Sequence, residues 1–128
     1  MSYLLDTHAL LWWLDGDPKL SAKARAVISD RELTVWVSAA TAWEIANKAR
    51  IGKLPHVLHE ARHLLAVLAE QDFKLLPITA EHGLRAGWLP GEHKDPFDRM
   101  LAAQSIVEGL ILVTTDKRMA GFGAKVMW

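Results

Sequence analysis

The sequence contains no cysteine, no excess of either charge and no long apolar run. Without cysteine there is neither a disulfide framework nor a thiolate zinc site, so folding must rest on a buried core. The 15 basic and 15 acidic side chains cancel. That removes any global electrostatic case for nucleic acid and leaves only local clusters such as Lys48, Arg50 and Lys53. The longest apolar stretches, LLAVLA and LILV, fall far short of the roughly 20 residues that cross a bilayer. The opening residues MSYLLD carry no basic segment and meet an acid at once, unlike a secretory signal. Repeats and linker-like tracts are also missing. The expectation is a soluble, cytoplasmic protein.

Apolar residues make up 51% of the 128 positions, enough to bury roughly two thirds of the unfolded surface in one domain spanning 1–128. Tyr3 to Leu5 reads as a buried first strand, and THALLWWL after it as a helix. SAKARAVIS is a short helix capped by Ser21, and LTVWVS is a β-branched, aromatic strand. AATAWEIANKARIG is a helix stopping at Gly52. His56 to Gln71 carries Leu58, Ala61, Leu65 and Leu68 as one stripe of an amphipathic helix. FKLLPIT is a strand at an edge, because Pro77 cannot donate to a ladder. AEHGLRAGWL is a helix and PGEHK a loop. Asp95 caps the helix PFDRMLAAQSIVE, with Pro96 at its first position and Gly109 at its end. LILVTT is a strand, and KVMW can add a last one. Strands alternating with helices imply an α/β fold around a mostly parallel sheet.

In such a sheet, ligands bind outside the carboxyl ends of the strands. Asp6 directly follows the first strand and Asp116 directly follows LILVTT. Asp98 lies in the first turn of its helix and Glu44 one turn into another, and both helices start on the same rim. Each acid also has an ordinary explanation. Asp6 can cap a helix, Thr41 to Glu44 fits a capping box, Asp98 favours a helix dipole, and Asp116 can start a turn. Asp6 and Asp116, however, require the same rim, which favours a shared cleft. Two unit charges at about 4 Å repel by about 4 kcal/mol at an effective dielectric near 20. Four converging carboxylates therefore either take up protons or recruit a cation. An all-oxygen site suits Mg²⁺ or Mn²⁺, the ions that polarise a phosphoryl oxygen and activate water in phosphodiester hydrolysis.

The stretch HEARH, residues 59–63, matches the H-E-x-x-H pattern of zinc proteases, with His59 and His63 as ligands and Glu60 as base. A catalytic zinc needs a third ligand, and the extended pattern would want glycine and histidine where Ala66 and Ala69 stand. Both histidines lie beside the apolar stripe, as solvated residues do. A phosphatase with Asp6 as nucleophile would want a second aspartate where His8 stands. A nucleic-acid or antitoxin-binding module without catalysis is the alternative that keeps the fold.

LLDTHALLWWL, SAATAWEIANKARIGKL, DPFDRMLAAQ and LVTTD, in that order, closely resemble the PIN-domain family. More narrowly, they are similar to the VapC-type toxins of bacterial toxin–antitoxin pairs. The resemblance implies a three-layer α/β/α fold and Mg²⁺- or Mn²⁺-dependent endoribonuclease activity. It assigns the metal acids to Asp6, Glu44, Asp98 and Asp116, with Thr7 and Thr114 or Thr115 as hydrogen-bonding neighbours. Asp95 is an extra acid, explained by capping or by a water-mediated contact with the metal. The resemblance also implies a homodimer and a cognate antitoxin covering the site. Trp12, Trp13 and Trp43 can line its groove, although large aromatics mostly fill cores. Lys48 and Arg99 are candidate contacts to RNA or antitoxin, unless Arg99 pairs with a carboxylate.

Overall fold

Five short strands pair side by side, all parallel, in the order β3-β2-β1-β4-β5 of the computed structural model, which describes residues 1–128. They are β1 (Ser2–Leu5), β2 (Thr34–Ser38), β3 (Lys74–Leu76), β4 (Ile111–Val113) and β5 (Val126–Met127). Helices α1 (Thr7–Asp15) and α2 (Ala22–Ser29) connect β1 to β2. Helices α3 (Ala39–Arg50), α4 (Leu58–Arg62) and α5 (Leu64–Glu70) connect β2 to β3. Helices α6 (Ala80–Trp88) and α7 (Pro96–Glu108) lead to β4, and a 3₁₀ turn, Lys117–Phe122, leads on to β5.

Alternation along the strands builds two cores, one on each face. Leu5 of β1, Val35 and Val37 of β2 and Val113 of β4 point into a cluster with Leu10, Ile28, Ile45 and Leu68. Leu4 and Leu112 point the other way, against Leu101, Ala102 and Met119. The middle strands are buried on both faces, so they read as unbroken apolar runs. The chain winds from β1 to β2 and β3 on one side, then places β4 on the other side of β1. This reversal opens a crevice at the carboxyl ends of β1 and β4, the place where open α/β sheets bind ligands.

Helix ends mostly follow the sequence. Ser21 accepts a hydrogen bond from the Ala24 N–H, and Gly109 closes α7 at φ +68°. Gly109 needs that left-handed backbone but has open space where a Cβ would sit. Gly109→Ala is therefore expected to cost only the backbone strain, about 1 kcal/mol, read as a lower urea midpoint with an unchanged slope.

Two expectations are corrected. The helix from His56 to Gln71 is not continuous: it is a 3₁₀ turn (Pro55–Val57) and two short helices broken at His63, at φ −119° and ψ 33°. The break resets the helical phase, so Val57, Leu64 and Leu68 are buried whereas Leu58 and Leu65 are exposed. Thr41 and Glu44 form no capping box either. Ser38 caps α3 through the Ala40 N–H, so Thr41 is the third residue of the helix and not its cap, with its hydroxyl on Thr7 of α1.

Candidate active site

Asp6 and Asp116 reach the carboxyl-end rim just beyond β1 and β4, and each also caps the helical turn that follows, while Asp98 stands in the first turn of α7. Asp6 caps α1, its Oδ1 accepting from the Ala9 N–H at 2.7 Å. Its own N–H donates to the Val113 carbonyl at 3.1 Å, so the pairing of β1 with β4 continues into the site. Asp116 caps the 3₁₀ turn, accepting from the Arg118 N–H at 3.0 Å. Asp98 stands in the first turn of α7, whose cap Asp95 accepts from the Phe97 and Asp98 N–H groups. The dipole at these helix starts favours negative charge.

Glu44 lies one turn into α3 and is buried, with both oxygens engaged. The Thr7 hydroxyl donates to Oε1 at 2.6 Å, and Lys48 Nζ sits 2.8 Å from Oε2. Thr7 also pairs with the Thr41 hydroxyl at 3.1 Å. Thr114 is buried and its hydroxyl accepts from the Asp116 N–H, fixing the turn that carries that acid. Thr115 is exposed and makes no side-chain hydrogen bond.

The acids divide into two neighbouring sets. Asp98 and Asp116 share one point with a residue the sequence reading missed, His93, their ligand atoms lying within 4.8 Å of one another. His93 Nε2 is 3.0 Å from Asp98 Oδ2 and 3.3 Å from Asp116 Oδ2. Asp6 and Glu44 form the second set, beside β1 and β2. Electrostatics links the two, since Asp6 feels Glu44, Glu44 acts on Asp98, and Asp98 feels Asp116. Burial is the main cause that pushes Asp6 above the usual carboxylate range, against the Thr114 hydroxyl and the Ala9 N–H. Burial also pushes Asp98 up to about 6, reinforced by Asp95, Glu44 and Asp116 and opposed by His93. Asp116 goes the other way, because the two-pronged grip of the Arg118 guanidinium holds it below the usual range.

Such a site fits a divalent cation. Three ligand atoms meet at one point, the Asp98 carboxyl resists ionisation there, and His93 Nε2 is buried with no hydrogen-bond partner. A cation would relieve all three conditions.

Arg99 does not reach outward to RNA or an antitoxin, and it pairs with no carboxylate. Its guanidinium turns inward onto backbone carbonyls, donating to Ala86, Leu89 and His93 at 2.6–3.1 Å. Its side chain ties the end of α6 and the following loop to α7. Trp12 lines a cavity of about 510 Å³ with His8, Lys19, Lys48, Lys53 and His56, which adjoins the acids through Lys48, the partner of Glu44. Its ring lies against His8 and Trp128, with Lys19 Nζ 5.9 Å above it. Trp13 instead packs on the core and donates to Gln71 Oε1. Trp43 is 63% exposed and meets Phe97 edge to face, next to Asp98.

The HEARH segment builds no zinc site. His59 and His63 are exposed with ring centroids 4.6 Å apart, and the three-ligand group of the chain is the one at His93.

Comparison with known proteins gives this geometry a family. The chain is 32% identical over 122 residues to ribonuclease VapC22 of Mycobacterium tuberculosis, covering 91% of this chain and 88% of that one. Its fold is that of VapBC2 from Rickettsia felis, solved bound to a promoter DNA fragment, at 16% identity and a TM-score of 0.75. That match covers 99% of this chain and 98% of the other. It is also that of FitAcB from Neisseria gonorrhoeae, at 22% identity and a TM-score of 0.71, covering 100% and 97%. Residues 3–125 match the PIN domain model. Nearly the whole chain is covered, and it belongs to the PIN domain family.

Proposed function

We infer that the protein is a metal-dependent endoribonuclease and the toxin of a toxin–antitoxin pair. The observation that carries this reading is the meeting of Asp98, Asp116 and His93 at one point of the sheet crevice, with Asp6 and Glu44 beside them. A bound Mg²⁺ or Mn²⁺ would polarise the scissile phosphate and lower the pKa of the attacking water. Asp98 and Asp116 would hold that ion, with Asp6 and Glu44 completing the negative site directly or through water. Thr7 keeps the Glu44 carboxylate oriented, and Thr114 keeps the Asp116 turn in place. Lys48 neutralises Glu44 in the free protein and is placed to meet a phosphate instead. The adjoining cavity offers three lysines against Asp15 and Asp17, with the Trp12 ring available for base stacking. An RNA strand entering along it would pass the acids.

The similarity to VapC22 supports ribonuclease chemistry, and the VapBC and FitA–FitB neighbours support an antitoxin partner. The exposed Trp43, beside Phe97 and Asp98, gives a bound antitoxin segment an apolar anchor over the site.

Purified protein is expected to cut total RNA at discrete positions with Mn²⁺ or Mg²⁺ and to stop on chelation. Asp6→Asn should be inactive yet folded, because asparagine caps a helix as well as aspartate. No cutting with any divalent ion would overturn the nuclease reading, and full activity in Asp6→Asn would overturn the assignment of that acid.

A further inference from the structure

The loop between α6 and α7 is built to hold one imidazole in place. Gly91 adopts φ +109°, and a Cβ there would lie 3.3 Å from the Phe122 ring. The His93 ring stacks on that same Phe122, at 5.9 Å between centroids and 13° between planes. Arg99 Nη1 donates to the His93 carbonyl, and the Arg99 guanidinium lies 5.4 Å over Phe122. Backbone and ring are therefore fixed by three separate contacts, and only 7% of the side chain is exposed.

The fixed ring ends on a buried nitrogen with nothing to bond. Nε2 approaches Asp98 Oδ2 at 3.0 Å and Asp116 Oδ2 at 3.3 Å, yet neither approach has the direction of a hydrogen bond. A buried polar atom without a partner costs about 1–3 kcal/mol. These separations suit a shared ion instead. Adjacent ligands of an octahedral ion with bonds near 2.1 Å stand about 3.0 Å apart. All three ligand atoms fall within 4.8 Å of one another.

We propose that His93 is a nitrogen ligand of the metal site, which thereby takes a first-row transition ion such as Mn²⁺ in preference to Mg²⁺. This deepens the nuclease reading and rests on it for the existence of the metal site. The all-oxygen site expected from the acids alone would accept Mg²⁺ as readily as Mn²⁺. One imidazole changes the donor set to nitrogen and two carboxylates, which binds transition ions more strongly while offering hard Mg²⁺ little. Neutral imidazole supplies the lone pair, and the two carboxylates balance the charge of the ion.

The test is Mn²⁺ binding to the metal-free protein, followed by calorimetry and by pulsed electron paramagnetic resonance, beside a Mg²⁺ titration. The wild type should bind Mn²⁺ at least tenfold more tightly than Mg²⁺ and show ¹⁴N coupling to the bound ion. His93→Gln should lose the coupling and at least tenfold in Mn²⁺ affinity, with Mg²⁺ affinity changing far less. The exposed His59–His63 pair is the competing imidazole source, so His59→Ala/His63→Ala is the control and should keep the coupling. Coupling absent from the wild type, retained in His93→Gln or lost in the control would overturn the proposal. If His93→Gln does not fold, the wild type still decides. Substoichiometric Mn²⁺ should broaden the His93 imidazole resonances before those of His59 and His63, and the reverse order would refute it. RNA cleavage with an oxygen-only Mn²⁺ site would leave the nuclease reading standing without this one. Nitrogen-ligated Mn²⁺ in a protein that cuts no RNA would do the opposite.

Discussion

Asp98→Asn is expected to abolish RNA cleavage while raising the melting temperature of the metal-free protein. The two effects share one cause. Burial and the neighbouring acids push the Asp98 carboxyl up to about 6, from 3.8 in the unfolded chain. The folded state therefore binds the Asp98 proton more tightly than the unfolded state does. The resulting stabilisation is complete below about pH 4 and is lost as pH rises through 6. At pH 7.5 the metal-free protein carries a carboxylate held against its preference. Asparagine removes the charge and keeps the shape. Its loss of a favourable helix-dipole contact, about 0.3–1 kcal/mol, is already outweighed in the upward direction of the shift.

The gain should appear as a rise of a few degrees at pH 7.5 and nearly vanish at pH 4, where the wild-type carboxyl is protonated. Asp6, also raised, shifts both proteins in the same sense, and Asp116, lowered, shifts both in the opposite sense. The difference between wild type and variant isolates Asp98. Added Mn²⁺ should stabilise the wild type and leave the variant unmoved. On the proposed site Asp98 would hold the ion, and losing it would remove several kcal/mol of transition-state stabilisation, so cleavage should fall by roughly 10³-fold or more. A variant that melts below the wild type at pH 7.5, or that still cuts RNA at the wild-type rate, would show that Asp98 serves only the helix.

Where local chemistry decided the structure, the sequence was a good guide. The β-branched runs around Val35 and Leu112 became central parallel strands, and Asp95-Pro96 opened α7 as capping rules require. Asp6 and Asp116 were placed on one rim because their position after buried strands leaves nowhere else for them. What escaped depended on partners distant in the chain. His93 sits in PGEHK, a segment that reads as plain loop. Its role comes from Phe122 and Arg99, which no periodicity connects to it. The one available signal was Gly91 two residues earlier, a sign of constrained backbone before a histidine. The stripe at Leu58 and Leu65 failed for another reason, since a period of 3.6 holds only if the helix does not break, and it breaks at His63. Arg99 looked like a surface cation because it directly follows an acid, but α6 packed over it and offered carbonyls.

That inward turn makes Arg99 the largest single stability expectation in the protein. The last turn of a helix leaves carbonyls unpaired, and Ala86 and Gly87 lie in the last turn of α6, with Leu89 just beyond it. The Arg99 guanidinium serves all three, at 2.9, 3.4 and 2.6 Å, and reaches the His93 carbonyl as well. A cation at that end of the helix is also favoured by its dipole. Arg99→Ala would leave these acceptors without a donor in a part-buried place, at about 1–3 kcal/mol for each poorly hydrated group. A net loss of about 3–5 kcal/mol is expected, seen as a melting temperature lower by roughly 10–20 °C. Arg99→Lys keeps the charge but replaces a planar fork by a single ammonium that cannot span the same carbonyls. It should recover less than half of the loss. Lys94→Ala, at an exposed neighbouring lysine, should change stability by no more than about 0.5 kcal/mol. The Lys variant should also show faster amide exchange from Trp88 to Lys94 and weaker Mn²⁺ binding, because the loop that presents His93 has lost its tether. An Arg99→Lys protein with wild-type stability and exchange would mean that charge alone suffices there. Lost RNA binding at unchanged stability would instead return Arg99 to the surface role its place in the sequence suggested.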